Sequence, residues 1–256
     1  MTVTYYGTPG TWAWFDAGFQ ADVARGLVSE WDAVASEVFG TEGPAFRWQG
    51  VNYPAAFGPI NPPPWAPNPP PSYDDSVKAG VVNHIQLINN IPGKFIIGGY
   101  SQGAEVTGRI RKELVSGSLQ HRLADCKGSI TFGDPTRQAS DEVYGGGDGI
   151  GISRLVIPPC PFRCVTYAAV GDMYCTTPAS GATGDDMHAM YMALTSLGGT
   201  LSIADMMTQA LGLLVNPLAG GLAALEAMIR AMKVGAHGSY GGWVGHAIGV
   251  ANQMAG

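Results

Sequence analysis

The chain has 256 residues, enough to bury the core of one α/β domain or of one domain carrying an insertion. Charged residues make up only 13%, about half the usual share, while Gly and Pro number 37 and 18, a loop-rich composition with an apolar surface. The formal net charge of −6 argues against a nucleic-acid partner, which calls for clustered Lys and Arg, and suits a substrate of apolar character.

The first residues, MTVTYYGTPGTWAW, lack a basic segment followed by a long apolar run, so they do not read as a signal peptide. The most apolar stretch, 204–227, is cut by Asp205, Gln209, Asn216 and Pro217, and no transmembrane anchor is expected. The reading is a soluble protein made in the cytoplasm without an export signal of its own.

Residues 2–6 form a β-rich run that breaks at Gly7-Thr8-Pro9-Gly10, a strand followed by a tight turn. Over 16–39 apolar residues recur at helical spacing, with Phe19, Val23, Leu27, Trp31, Val34 and Val38 on one stripe. A second strand is predicted at 46–51, and the Pro-rich stretch 61–71 must be an extended surface loop. Helical periodicity resumes over 77–91 and stops at Pro92-Gly93. The apolar run 94–98 then reads as a buried parallel strand leading into Gly99-Tyr100-Ser101-Gln102-Gly103, with a helix over 104–115. Two more buried strands are predicted at 129–132 and 164–170. The glycines of 145–151 match no full dinucleotide fingerprint and read as a mobile loop.

After Pro178 the character changes. Helices are predicted at 186–197, 202–215 and 217–234, a region holding seven of the ten methionines, and a short helix at 243–254 closes the chain. The expected architecture is therefore α/β: a three-layer sandwich with a central, mostly parallel sheet of about five strands. Residues 1–177 and 236–256 form the main domain, and 178–235 a helical insertion. The methionines read either as core filler or as a deformable apolar wall for a lipid chain.

Gly99-Tyr100-Ser101-Gln102-Gly103 is a G-x-S-x-G pentapeptide, a weak signal in so Gly-rich a chain. Its context strengthens it: a serine that ends a strand and opens a helix, flanked by small residues, is the nucleophile elbow of a serine hydrolase. The serine needs a base and an acid, in the chain order Ser, acid, His. Asp172 directly follows the 164–170 strand and is the favoured acid; Asp134, in an Asp-Pro turn, is the rival. Three downstream histidines compete as base. His237 lies in a Gly-rich loop before the last helix and is favoured over His246, inside that helix, and His188, near the start of another. His84 and His121 read as structural or solvated. For the oxyanion, one donor is expected from the Gln102 N–H and the other from Thr8, through its N–H and hydroxyl.

Four cysteines stand at 126, 160, 164 and 175. Cys160 and Cys164 have the spacing of half a zinc site, but no second pair and no suitably spaced histidine follows, so no metal is expected. Disulfide pairing is left open; a partner for Cys175 would brace the loop that carries Asp172.

Gly99–Gly103, Gly171-Asp172-Met173-Tyr174-Cys175 and His237-Gly238-Ser239-Tyr240 together resemble the cutinase-like serine esterases of the α/β-hydrolase superfamily. Within them the likeness runs to the mycobacteriophage lysin B group, and it takes in Gly7-Thr8 and Phe132-Gly133-Asp134-Pro135-Thr136-Arg137. The resemblance implies a helical linker at 178–235 and a triad of Ser101, Asp172 and His237. It also implies cleavage of the ester between mycolic acids and arabinogalactan at the host envelope during phage lysis, with no cofactor. Two alternatives differ in function: a general cutinase or lipase acting on simple lipid or polymer esters, and a non-enzymatic apolar-ligand-binding phage protein.

Overall fold

The computed structural model describes residues 2–34, 46–196 and 235–256. The expected helices at 202–215 and 217–234, and the end of the 16–39 helix, lie outside these residues.

Six strands form one sheet in the order β2-β1-β3-β4-β6-β5. They are β1 (Val3–Thr8), β2 (Phe46–Gly50), β3 (Lys94–Tyr100), β4 (Cys126–Phe132), β5 (Glu142–Tyr144) and β6 (Arg163–Tyr167). The expected central sheet of about five mostly parallel strands is present, with six strands among the described residues and every pairing between them parallel. β5 has three residues, too few to show a periodicity, and it is held from outside. Glu142 takes a two-pronged ion pair from Arg163 of β6 at 2.6 and 2.7 Å.

Alternate side chains of the strands enter two different cores, as the pleat requires. Tyr5, Ile96, Ile130 and Val165 face α1 (Phe19–Val34), and the C-terminal helix, whose Val23, Leu27, Ile248 and Ala251 complete that core. Tyr6, Phe95 and Ile97 face α2 (Tyr73–Asn90) and α3 (Gln102–Ser116), through Ile88, Ile110 and Leu114. Covering on both faces explains why the strands read as continuous apolar runs. α2 begins ahead of its apolar stripe because Ser72 caps it, accepting from the Asp75 N–H at 3.0 Å, with Asp74 and Asp75 in the first turn.

The helix expected at 186–197 is α4 (Ala182–Ser196), one turn earlier than its periodicity. It packs Met190, Tyr191 and Leu194 against Tyr73, Val77 and Val106 of α2 and α3. Tyr191 and Tyr73 both donate to the buried Glu105 carboxylate, so the start of the 178–235 segment is pinned to the elbow helix. The last helix is α5 (Val244–Ala255).

Since all strands are parallel, their carboxyl ends share one edge. Thr8 stands in register with Gly99, Tyr100 with Phe132, and Phe132 with Tyr167. The loops that follow β1, β3, β4 and β6 therefore meet at one crevice, the usual ligand position in an open α/β sheet.

Candidate active site

Ser101 sits between β3 and α3 with φ 55° and ψ −120°, a conformation a serine adopts only when its surroundings enforce it. Its N–H donates to Phe132 O at 3.0 Å, which ties the turn to β4. The flanking glycines are steric requirements. A β-carbon at Gly99 would lie 2.3 Å from Gly103 O, and one at Gly103 would lie 2.3 Å from both Thr8 O and Pro9 O. The turn thus has the form of a nucleophile elbow, with the β1 loop pressed against the first turn of α3.

His237 stands between Ser101 and Asp172. Its Nε2 lies 2.7 Å from Ser101 Oγ and its Nδ1 2.7 Å from Asp172 Oδ2. Asp172 is buried, and burial pushes its carboxyl up. The hydrogen bond and charge of His237, with the Tyr240 hydroxyl and the Tyr174 N–H, outweigh that and hold it below the usual carboxylate range. Such a carboxylate fixes the imidazole's orientation and stabilises its protonated form.

The loop carrying Asp172 is braced along its length by the glycine-rich segment that the sequence reads as mobile. Gly147 N–H donates to Ala168 O at 3.2 Å, and Ile150 and Thr177 exchange backbone hydrogen bonds at 2.9 and 3.0 Å. Arg137 Nη1 bridges the two segments, donating to Gly147 O and Cys175 O at 2.8 Å each. All four cysteines are free thiols. Cys175 helps the loop through its thiol, 3.5 Å from both the Tyr240 hydroxyl and Asp172 O, and not through a disulfide.

The competing residues are engaged elsewhere. Asp134 Oδ1 accepts from the Thr136 N–H and hydroxyl, both at 2.7 Å. His246 Nδ1 pairs with the Tyr167 hydroxyl at 2.8 Å among the rings of Tyr144, Tyr167 and Trp243. His188 Nδ1 meets Ile152 O at 2.8 Å. His84 is buried against Tyr6, and burial pushes its imidazole down to about 3. His121 is exposed beside Asn89.

Of the two residues expected as oxyanion donors, Gln102 opens α3, where an N–H has no acceptor four residues upstream. Its side chain is tied away from the crevice, donating to Ala56 O at 2.8 Å and accepting from Ser76 Oγ at 3.1 Å. Thr8 is buried at the end of β1, and its hydroxyl has no partner.

Four residues of the site escape sequence reasoning. Tyr240 reaches Asp172 and also accepts from the Ala169 N–H. Tyr100 donates to His237 O at 2.8 Å and stacks on its ring at 5.3 Å. Tyr174 covers the same imidazole at 4.5 Å, and Gly133 packs against it. Tyr100, Tyr174 and Tyr240 all lie within the three quoted motifs, a signal of position without role.

Beside the crevice lies an aromatic rim. Trp14, Phe15 and Trp65 are 57, 47 and 44% exposed, too much for core residues, and Trp14 stacks on Trp65 at 4.7 Å. Trp12 joins Trp65 to the apolar cluster of Met173 and Tyr174, so the rim is continuous with the residues around His237. Neither 2–15 nor 51–72 contains a charged residue.

Residues 24–199 match the family model described as Cutinase. Endolysin B of Mycobacterium phage D29 is 30% identical over 210 residues, covering 73% of this chain and 76% of the relative. Endolysin B of Mycobacterium phage L5 is 29% identical over 219 residues, covering 77% and 80%. The crystal structure of lysin B from Mycobacteriophage D29 superposes with a TM-score of 0.61 at 25% identity, over 90% of this chain and 89% of that one. An acetyl xylan esterase shares the fold, with a TM-score of 0.51 at 20% identity over 76% of this chain. Family match, relatives and sheet architecture converge: the chain belongs to the cutinase family of serine carboxylic ester hydrolases, in its lysin B group.

Proposed function

We propose that this esterase cleaves the ester joining mycolic acids to arabinogalactan in the mycobacterial envelope during phage-induced lysis, through an acyl-enzyme on Ser101. The observation that carries the reading is the unbroken row Asp172–His237–Ser101, with both contacts at 2.7 Å. His237 Nε2 takes the Ser101 proton as Oγ attacks the mycolyl carbonyl. The N–H groups of Gln102 and Thr8, with the unpartnered Thr8 hydroxyl, stabilise the oxyanion. His237 then protonates the departing sugar oxygen, and a water activated by the same imidazole releases the free acid. Residues 178–235 serve as the linker insertion, seated through α4. The two relatives named Endolysin B, both from Mycobacterium phages, support action on the host envelope. Among the described residues no helix is long and apolar enough to cross a membrane.

The uncharged aromatic rim favours lipid esters as a class, and it also suits the second reading, a general lipase. Incubation with purified mycolyl-arabinogalactan, assaying free mycolic acid, decides between them. Release by the wild type at a kcat/KM above that for a simple long-chain ester supports the mycolyl reading; release only from simple esters replaces it. Ser101→Ala should lose several orders of magnitude on every ester. His237→Ala should match it, while His246→Ala and His188→Ala retain most activity. Hydrolysis surviving Ser101→Ala would remove the serine mechanism.

A further inference from the structure

Cys160 and Cys164 take no part in the ester chemistry. Cys164 lies near the start of β6, at the opposite end from the Asp172 loop, and Cys160 lies three residues before the strand begins. Both thiols are half-buried and line one cavity of ≈ 280 Å³ together with Arg111, Ser140 and Asp141, with Cys160 Sγ donating to Pro158 O at 3.8 Å and Cys164 Sγ to Phe162 O at 3.6 Å. The other two cysteines, Cys126 and Cys175, are buried.

Arg111 is the unusual member of this cavity. It is 2% exposed, and its terminal nitrogens are paired with Asp141 at 3.0 and 2.6 Å. Its Nε–H has no partner. A buried guanidinium N–H without an acceptor is costly, and a sulfur anion on the same cavity supplies one. The electrostatics agree in direction. The Cys160 thiol is held below the usual thiol range, first by the neighbouring Cys164 thiol and then, against its burial, by the Arg111 charge. Cys164 is pushed up by the same neighbour and by its burial.

We propose that Cys160 and Cys164 form a thiol–disulfide exchange site for small organic disulfides, with Cys160 the attacking thiolate and Cys164 the resolving thiol. Cys160 Sγ attacks one sulfur of the organic disulfide; that S–S bond breaks, a mixed disulfide forms, and the departing thiolate takes a proton from solvent. Cys164 then gives up its proton to solvent and attacks the Cys160 sulfur, expelling the second thiolate. The cysteine pair is oxidised by two electrons and the organic disulfide is reduced to two thiols. The product is an internal bond that ties the segment before β6 to the strand.

The shared cavity and the buried Arg111 with its unpartnered Nε–H are what separate this site from two independent surface thiols. Thiolate character selects the attacker, and proximity selects the resolver.

The test treats the native protein with 5,5′-dithiobis(2-nitrobenzoate) and follows thionitrobenzoate release together with intact mass. The wild type should release two equivalents in a fast phase and end about 2 Da lighter, with no adduct. Cys164→Ser should release one equivalent quickly and keep the mixed disulfide on Cys160. Cys160→Ser should slow the fast phase at least about tenfold at neutral pH. A wild type that retains adducts, shows no fast phase, or reacts equally fast through either single variant would overturn the site. Thermal melts establish that each variant is folded, and should one unfold, the wild-type mass alone decides. The esterase rate of both variants should match the wild type, since neither cysteine touches the Ser101 crevice.

Discussion

Gly133 lies directly against His237. A β-carbon at this position would stand 2.8 Å from the imidazole Cε1 and 2.9 Å from both its Nδ1 and Asp172 Oδ2. The residue also holds φ +55°, where an L side chain is strained. The turn after β4 therefore forms the floor on which His237 and Asp172 are aligned. Gly133→Ala should lower kcat by about 10²-fold, the scale of a ~1 Å misplacement, with a modest loss of melting temperature. Turnover of p-nitrophenyl butyrate alongside a circular-dichroism melt checks this; a folded variant with wild-type kcat would refute the floor.

Tyr240 acts on the same pair from the other side, through its hydroxyl on Asp172 Oδ2. Tyr240→Phe removes a hydrogen bond to a charged group, worth about 1.5–3 kcal/mol, and should reduce kcat about tenfold. The pH dependence has a definite sign. Asp172 is held low in the folded state, so its contribution to stability is present above the unfolded value and is lost as pH falls through the folded one. The gap in melting temperature between wild type and Tyr240→Phe should thus be widest near neutrality and narrow below about pH 4. A gap independent of pH would assign Tyr240 a packing role only.

Asp134 behaves in the opposite sense. It is buried, its Oδ2 has no partner, and burial pushes its carboxyl up to about 6 against the Thr136 hydrogen bonds. Between the unfolded value near ~4 and the folded value, the native state binds more protons, so stability falls as pH rises through that window. Above it the full penalty, about 3 kcal/mol, persists. Asp134→Asn should therefore raise the melting temperature at pH 7 and change it little at pH 4. Equal shifts at both pH values would show that Asp134 is ionised in the folded protein well below pH 6.

The aromatic rim gives a prediction on substrate form. Burying an exposed aromatic side chain in lipid yields about 1.5–3 kcal/mol, which a soluble ester does not collect. Replacing Trp14 and Trp65 together with Ser should lower kcat/KM on an emulsified long-chain ester at least about tenfold. The same variant should stay within about twofold of wild type on soluble p-nitrophenyl acetate. Equal losses on both would place the pair in the structural core of the loops.

What the residues determine unaided is local. Continuous apolar runs at 94–98 and 129–132 identify buried parallel strands because both faces of each must be covered. The Gly–x–Ser–x–Gly turn between a strand and a helix locates Ser101, since its geometry depends on neighbours within two positions. What the tertiary structure alone decides is which distant residues share the crevice. A Gly-rich loop favours His237 over His188 and His246 in the sequence, but only the fold brings it to Asp172 and takes the others to Ile152 O and the Tyr167 hydroxyl. β5 is invisible beforehand because its three residues are held by Arg163, a side chain 21 positions away from Glu142. Gly133 and Tyr240 acquire their roles in the same way. Parallel strands bring the ends of β4 and β6 together and the C-terminal loop folds over both, so a steric floor and a hydroxyl donor arise from segments that no spacing rule connects.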